Sequence, residues 1–128
     1  MTDAEIEREI VAKGKTAPRV TPADVEDNIV GEHYFTARDG REGALQQGTY
    51  FGRTFPQPDD ADLAPLALLT FCVLVLRNGF TVTGESACAS PENFDPEIDR
   101  KIARQNAVAK VWPLMGYSLR DNLAALTK

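Results

Sequence analysis

The stretch LTFCVLVLRNGFTVT, Leu69 to Thr83, restricts this chain more than any other. LTFCVLVL is apolar at odd and even positions and rich in β-branched residues, the pattern of a strand covered on both faces. Asn78-Gly79 follows, a pair that tolerates the positive φ of a type I′ turn, and FTVT then alternates apolar and hydroxyl side chains. The spacing predicts a hairpin closed by a two-residue loop, with Arg77 opposite Phe80, Val75 opposite Val82 and Val73 opposite Gly84.

Beyond the hairpin the chain turns to small residues, GESACAS from Gly84 to Ser90, where a strand hands over to a helix. Ser90-Pro91-Glu92 and Asp95-Pro96-Glu97 each place a capping side chain, a proline and an acid in helix-start order. The first predicts a single turn. The second opens the main helix, Pro96 to Trp112, which Pro113 ends. Ile98, Ile102, Ala109 and Trp112 make one stripe, predicted to pack on the hairpin, and Ala103, Ala107 and Val111 make a second stripe of small residues. Two stripes call for two neighbours, the first helix or a second copy of the chain, so a homodimer is one expectation. Ser118 to Asp121 reads as a further capping box, opening a last short helix with Leu119, Leu123 and Leu126.

The first half is less regular. Residues 1–20 form a short amphipathic arm with Ile6, Ile10 and Val11 on one face, broken by GKTAPR and expected to be flexible or docked on a partner. TPAD at Thr21 is a helix start, predicting a helix from Pro22 to about Gly31 that buries Val25 and Ile29. Residues 38–62, rich in Gly, Pro and acids, read as a connecting loop with one short strand around Thr49 to Phe51. Residues 21–128 are thus expected to be a single α+β domain: an antiparallel hairpin-based sheet, one main C-terminal helix packed on it, and two shorter helices.

Bulk properties narrow the function classes. A chain of 128 residues with 43% apolar residues suffices for one domain with a core. All of the net charge of −5 comes from residues 1–60, with 12 acidic and 7 basic side chains, which argues against a general nucleic-acid coat. Cys72 and Cys88 are too few for a disulfide framework, and neither has the spacing of a zinc ligand. Asp59, Asp60 and Asp62 lack the glycine and terminal glutamate of a calcium loop. No metal or cofactor is expected. Met1 to Glu9 is acidic and polar, unlike a signal peptide, and Leu63 to Leu76 is too short to span a bilayer. The expectation is a soluble protein of a reducing cytoplasm.

Two chemistries compete at the strand-to-helix junction. In the first, Cys88 or Ser86 is a nucleophile in a run, GESAC, that lacks the second glycine of a hydrolase elbow. Its base would have to be His33, the single histidine, which no spacing places there. In the second, Ser86, Cys88, Ser90, Asn93, Arg100, Arg104 and Asn106 surround a nucleotide-like anion, held by helix N–H groups, hydroxyls and guanidinium groups. Against both stands the reading that small residues let the helix start close to the sheet. On that reading Arg100 and Arg104 pair with Glu97, Asp99 or the acidic first half, and Asn106 satisfies a strand-end backbone group.

The block from Leu69 to Tyr117 resembles the signature half of the gene product 49/gene 66 family of small proteins from enterobacterial tailed phages and prophages. TPADVEDNIVGEHYFTA resembles that family's N-terminal helix and the segment after it. Together the two blocks span roughly residues 21–37 and 69–120, far more than a short motif. Asp99 stands where the family pattern has a glycine; on a helix surface that change alters little and adds an acid beside Arg100. The resemblance implies a phage-encoded accessory protein in the bacterial host cytoplasm and brings no catalytic residues with it. The leading expectation is a non-enzymatic binding protein acting on the host, either docking on a host protein or sequestering a small anion. The alternatives are a cysteine- or serine-dependent enzyme and a virion-associated protein.

Overall fold

The computed structural model describes residues 2–47 and 61–127. The chain runs through α1 (Asp3–Ala12), α2 (Pro22–Asn28), β1 (Ile29–Thr36), α3 (Ala37–Gln46), α4 (Leu63–Leu66), β2 (Leu69–Leu76) and β3 (Thr81–Ala87), then a 3-10 turn (Pro91–Asn93) and α5 (Pro96–Leu126). The three strands form one antiparallel sheet in the order β1-β2-β3, and α5 lies across one face, mainly on β3 and β2. The architecture is the expected α+β domain, and β1, α3 and α4 are elements that the sequence reading did not place.

The hairpin is there, but one residue out of the expected register. Leu76 N–H donates to the Phe80 carbonyl and Gly79 N–H to the Leu76 carbonyl, so the loop holds three residues, Arg77, Asn78 and Gly79. Only Gly79 has positive φ, at 88°, and Asn78 instead uses its side-chain oxygen to accept from Phe80 N–H at 2.9 Å. A type I′ turn needs two positive φ angles; one such residue at the end of a longer loop fits a bulged hairpin. The observed pairs are Leu74 with Val82 and Cys72 with Gly84, which place Val82 and Gly84 beneath α5.

Burial alternates along β2: Thr70, Cys72, Leu74 and Leu76 are buried, while Leu69, Phe71, Val73 and Val75 are only half-buried. The expectation of a strand fully covered on both faces is therefore corrected. The second face receives α3 at one end, where the rings of Phe35 and Phe71 meet at a tilt of 39° with centroids 5.8 Å apart.

The two stripes of α5 trade places relative to expectation. Ala103, Ala107 and Val111 are fully buried against the sheet, whereas Ile98 is 55% and Ile102 41% exposed. Gly84 explains the exchange. A Cβ there would stand 2.2 Å from the Ala103 carbonyl oxygen and 2.2 Å from the Ala107 nitrogen. The helix backbone lies directly on the glycine, and only the small-residue stripe permits that approach. Val25 of α2 joins Cys72, Leu74, Leu76, Val82 and the α5 stripe in the core, with Val20, Ile29, Val108, Trp112 and Met115 packed around them.

α5 does not stop at Trp112. It continues through Pro113 to Leu126, so the separate last helix predicted at Ser118 is the same helix. Proline removes the N–H that would bond the carbonyl of residue 109. Ala109 and Pro113 are both exposed, so that carbonyl turns to water rather than being stranded.

Two expectations in the first half are also corrected. The helix from Thr21 ends at Asn28, and Ile29 begins β1 without a connecting loop. Residues 38–46 of the expected loop belong to α3, opened by a capping box in which Thr36 and Asp39 exchange bonds of 3.1 and 2.9 Å. The strand expected around Thr49 to Phe51 lies outside the described residues. In the arm, α1 is capped by Thr2 and tied to the segment before α2 by a paired contact of Glu7 with Arg19, one bond being 2.8 Å.

Candidate functional site

The strand-to-helix junction places the end of β3 against the first turns of α5. Ser86 is 6% exposed, and its hydroxyl donates to Asp99 Oδ1 at 2.9 Å. The second oxygen of Asp99 accepts from Asp95 N–H at 3.3 Å, and Asp95 itself caps the helix through Glu97 N–H. Asp99 is thus not on the helix surface, as the sequence reading had it, but a buried carboxylate with partners for both oxygens. Cys88 is half-buried, its thiol donating to the Ser90 carbonyl at 3.2 Å, and Ser90 donates its hydroxyl to Glu92 at 2.6 Å. Asn93 closes the 3-10 turn, its N–H donating to the Ser90 carbonyl. Asn106 donates to the Glu85 carbonyl at 2.8 Å, satisfying an outward-facing group of edge strand β3.

The two arginines face elsewhere. Arg104 donates to Glu26 of α2 at 2.7 and 3.2 Å and to Glu32 of β1 at 2.9 and 3.4 Å. Tyr34 adds its hydroxyl to the same Glu32 at 2.7 Å. Arg104 therefore sits toward the β1 side of the sheet, whereas Ser86 is on β3, and its charge is already met by the acidic first half. Glu26 first and Glu32 second raise Arg104 above its ordinary pKa. Burial and the bond to Glu32 push the Tyr34 phenol up, and burial also raises its cross-strand neighbour Cys72. Arg100 is exposed and makes no ion pair among the described residues.

The seven residues named from the sequence thus do not converge on one space. Ser86, Cys88, Ser90 and Asn93 hold the junction together; Asn106 guards a strand edge; Arg104 locks α5 to α2 and β1; Arg100 opens on a separate cavity. An anion seated at Ser86 would meet the Asp99 carboxylate. A nucleophile at Ser86 would be shut off from substrate, and His33 lies opposite Val73 on the other sheet face. Among the described residues no group of three or more His, Cys, Asp and Glu side chains is placed to hold a metal ion.

The Arg104 cluster makes its own prediction. The Arg104 hydrogen bond, then that of Tyr34, lowers the Glu32 pKa. A depressed folded-state carboxyl contributes stability that is complete above the ordinary value near 4.5 and is lost as pH falls through the depressed value. Arg104→Ala is expected to cost about 1–2 kcal/mol at neutral pH, a figure reduced for the partial exposure of both pairs. It should also flatten the acid limb of the stability–pH curve, as urea unfolding across that range would show.

Sequence reasoning missed a concavity on another part of the surface. A groove of about 690 Å³ lies between the hairpin tip and the distal half of α5. Val20, Leu76, Phe80, Leu114, Met115 and Leu119 supply its apolar surface, and Asp24, Asp27, Arg77 and Asn122 its polar one. It exists because α5 runs on past Pro113; a helix ending at Trp112 would have no such wall. The legible signal was the apolar spacing Leu119, Leu123, Leu126, read as an independent helix.

One long helix across a three-stranded antiparallel sheet, its junction residues bonded to one another, defines a small α+β domain. The chain belongs to the phage protein (N4 Gp49/phage Sf6 gene 66) family, whose model matches residues 20–123. No curated protein and no solved structure matches it. Among the described residues no helix is long and apolar enough to cross a membrane.

Proposed function

We propose that this phage protein is a non-enzymatic accessory protein that works inside the bacterial host cell by docking on a host protein through the groove beside α5. The observation that carries this reading is the groove itself. It is large enough for several side chains, is lined by Leu76, Met115 and Leu119 and carries charged and amide groups around them. That combination suits the apolar face of a helix or short peptide, with the polar groups setting orientation. The chemistry of the junction supports binding over catalysis, since the thiol and hydroxyl there are hydrogen-bonded within the fold.

Phe80 is 56% exposed, and Leu119 is half-buried on the groove wall. Phe80→Glu with Leu119→Glu is expected to abolish recovery of a specific host protein from infected-cell lysate while leaving the circular dichroism melt within a few degrees of the parent. Equal recovery by parent and variant would remove the groove from the proposal.

A second reading has its own support. Val108, Trp112, Met115, Leu119, Asn122 and Leu126 recur at alternating spacings of four and three, the seam of a paired helix with one amide in it. The first three pack on the core, whereas Leu126 is 81% exposed. On this reading a second copy of the chain covers the groove, and sedimentation equilibrium would show a dimer that the same double variant converts to monomer.

A further inference from the structure

α1 lies on the body of the protein without being built into it. None of its 10 residues is buried, and the link that follows, residues 13–18, is exposed throughout. Its apolar side chains Ile6 and Ile10 line a cavity of about 250 Å³ together with Val20, Pro22 and Trp112 of the body. Val20 and Trp112 pack against the core, so this is the rim of the core that α1 faces. A space of that size between two apolar surfaces leaves the dispersion contact between them incomplete. The specific tie is Arg19, which donates through both terminal nitrogens to the two oxygens of Glu7, one bond being 2.8 Å. A helix of 10 residues is too short to hold its shape alone in water, so α1 is helical only while it is docked.

We propose that α1 is a releasable strap seated on a helix-docking surface, and that this surface takes a partner helix with the pattern α1 itself displays: two aliphatic side chains four residues apart, with a carboxylate directly after the first. In α1 these are Ile6, Ile10 and Glu7. The surface is continuous with the groove beside α5, because Val20 lines both and Arg19 stands on the groove's wall. While α1 is docked it stands across the Val20 and Trp112 end, and Glu7 occupies the guanidinium. Once it lets go, Pro22 and Trp112 extend the groove, and Arg19 can pair with an acid of the incoming helix through the same two-pronged match. The exposed link lets α1 swing clear without disturbing α2, whose capping box is made between Thr21 and Asp24. Such a release breaks the contacts of one partly packed helix, a local opening that lies far below global unfolding. Only the last step, entry of the partner helix, rests on the docking reading of the groove; release of α1 needs no partner.

Trp112 is the single tryptophan of the chain, so its fluorescence reports on the strap. In the full-length parent, amides of α1 should exchange with solvent about a hundredfold or more faster than those of β2. Ile6→Ser with Ile10→Ser should open the strap: acrylamide quenching of Trp112 rises about twofold or more, while the urea midpoint of the body moves no further than an ordinary surface change would move it. A synthetic peptide of residues 2–15 added to this variant should reverse the quenching, and the same peptide carrying Glu7→Gln should bind about fivefold or more weakly. The opened variant should also recover more of the host protein than the parent does. Amides of α1 that exchange only by global unfolding overturn the strap, and a peptide that leaves the quenching unchanged overturns the docking surface. Undiminished binding by the Glu7→Gln peptide overturns the part given to Arg19. Equal recovery by the opened variant and the parent, while Phe80→Glu with Leu119→Glu still abolishes it, overturns the coupling to the groove and leaves the groove reading standing.

Discussion

Gly84→Ala is expected to lower the stability of this domain by about 4 kcal/mol or more, a large share of the roughly 5–15 kcal/mol that holds a protein of this kind folded. The added methyl would sit 2.2 Å from the Ala103 carbonyl oxygen, 2.2 Å from the Ala107 nitrogen and 2.8 Å from the Ala107 Cα. All three are backbone atoms of α5, so no side chain can swing aside. The helix must lift from the sheet instead, and with it the contacts of Ala103, Ala107 and Val111 with Cys72, Leu74 and Val82. Overpacking with a single methylene usually costs about 1–3 kcal/mol because neighbours yield a little; here the neighbour is a whole helix. Gly79→Ala is the control. Its φ of 88° strains any other residue, but the space around it is open, so a loss of about 1–2 kcal/mol is expected. Urea midpoints for the two variants should differ clearly. A Gly84→Ala protein as stable as Gly79→Ala would refute the close approach.

That contact also shows where the sequence was legible and where it was not. The apolar run of β2, the Asn78-Gly79 turn and the Asp95-Pro96 cap were readable because each encodes local backbone preference. The register and the buried face of α5 were not, because both depend on contacts between distant residues. Counting apolar residues favoured the Ile98 and Ile102 stripe, yet a glycine on the facing strand selected the alanine stripe. Thr36-Ala-Arg-Asp39 carries the same capping signal as Thr21-Pro-Ala-Asp24, but two glycines in α3 mask it in a composition reading. β1 was obscured by Glu32 and His33 at its centre. Glu32 is tolerated on the helix-facing side only because Arg104 and Tyr34 meet its charge, a partnership spread across 72 positions of chain. The junction residues stood out in the sequence, and in the structure their polar groups are directed at each other. The groove and the Arg100 cavity are formed by elements that only the folded chain brings together.

Asp99→Ala is expected to cost about 2–3 kcal/mol, the range for leaving a buried polar group without its partner. The carboxylate is 6% exposed, accepts from Ser86 at 2.9 Å and from Asp95 N–H at 3.3 Å, and so joins the end of β3 to the cap of α5. Its loss strands the Ser86 hydroxyl in a site equally closed to water. Ser86→Ala alone removes one donor and leaves the carboxylate its bond to Asp95, so a smaller loss follows. The double variant has neither the stranded hydroxyl nor the carboxylate and should be more stable than the two single losses added together, with a coupling of about 1–2 kcal/mol in a double-mutant cycle. Asp99→Gly, the residue the family resemblance leads one to expect there, adds about 1 kcal/mol of helix propensity to the alanine loss. If Asp99→Ala instead unfolds within 0.5 kcal/mol of the parent, on the order of an ordinary surface change, the buried Ser86–Asp99 bond is not what fastens this helix to its strand. The small residues of GESACAS would then owe their presence to the Gly84 contact alone.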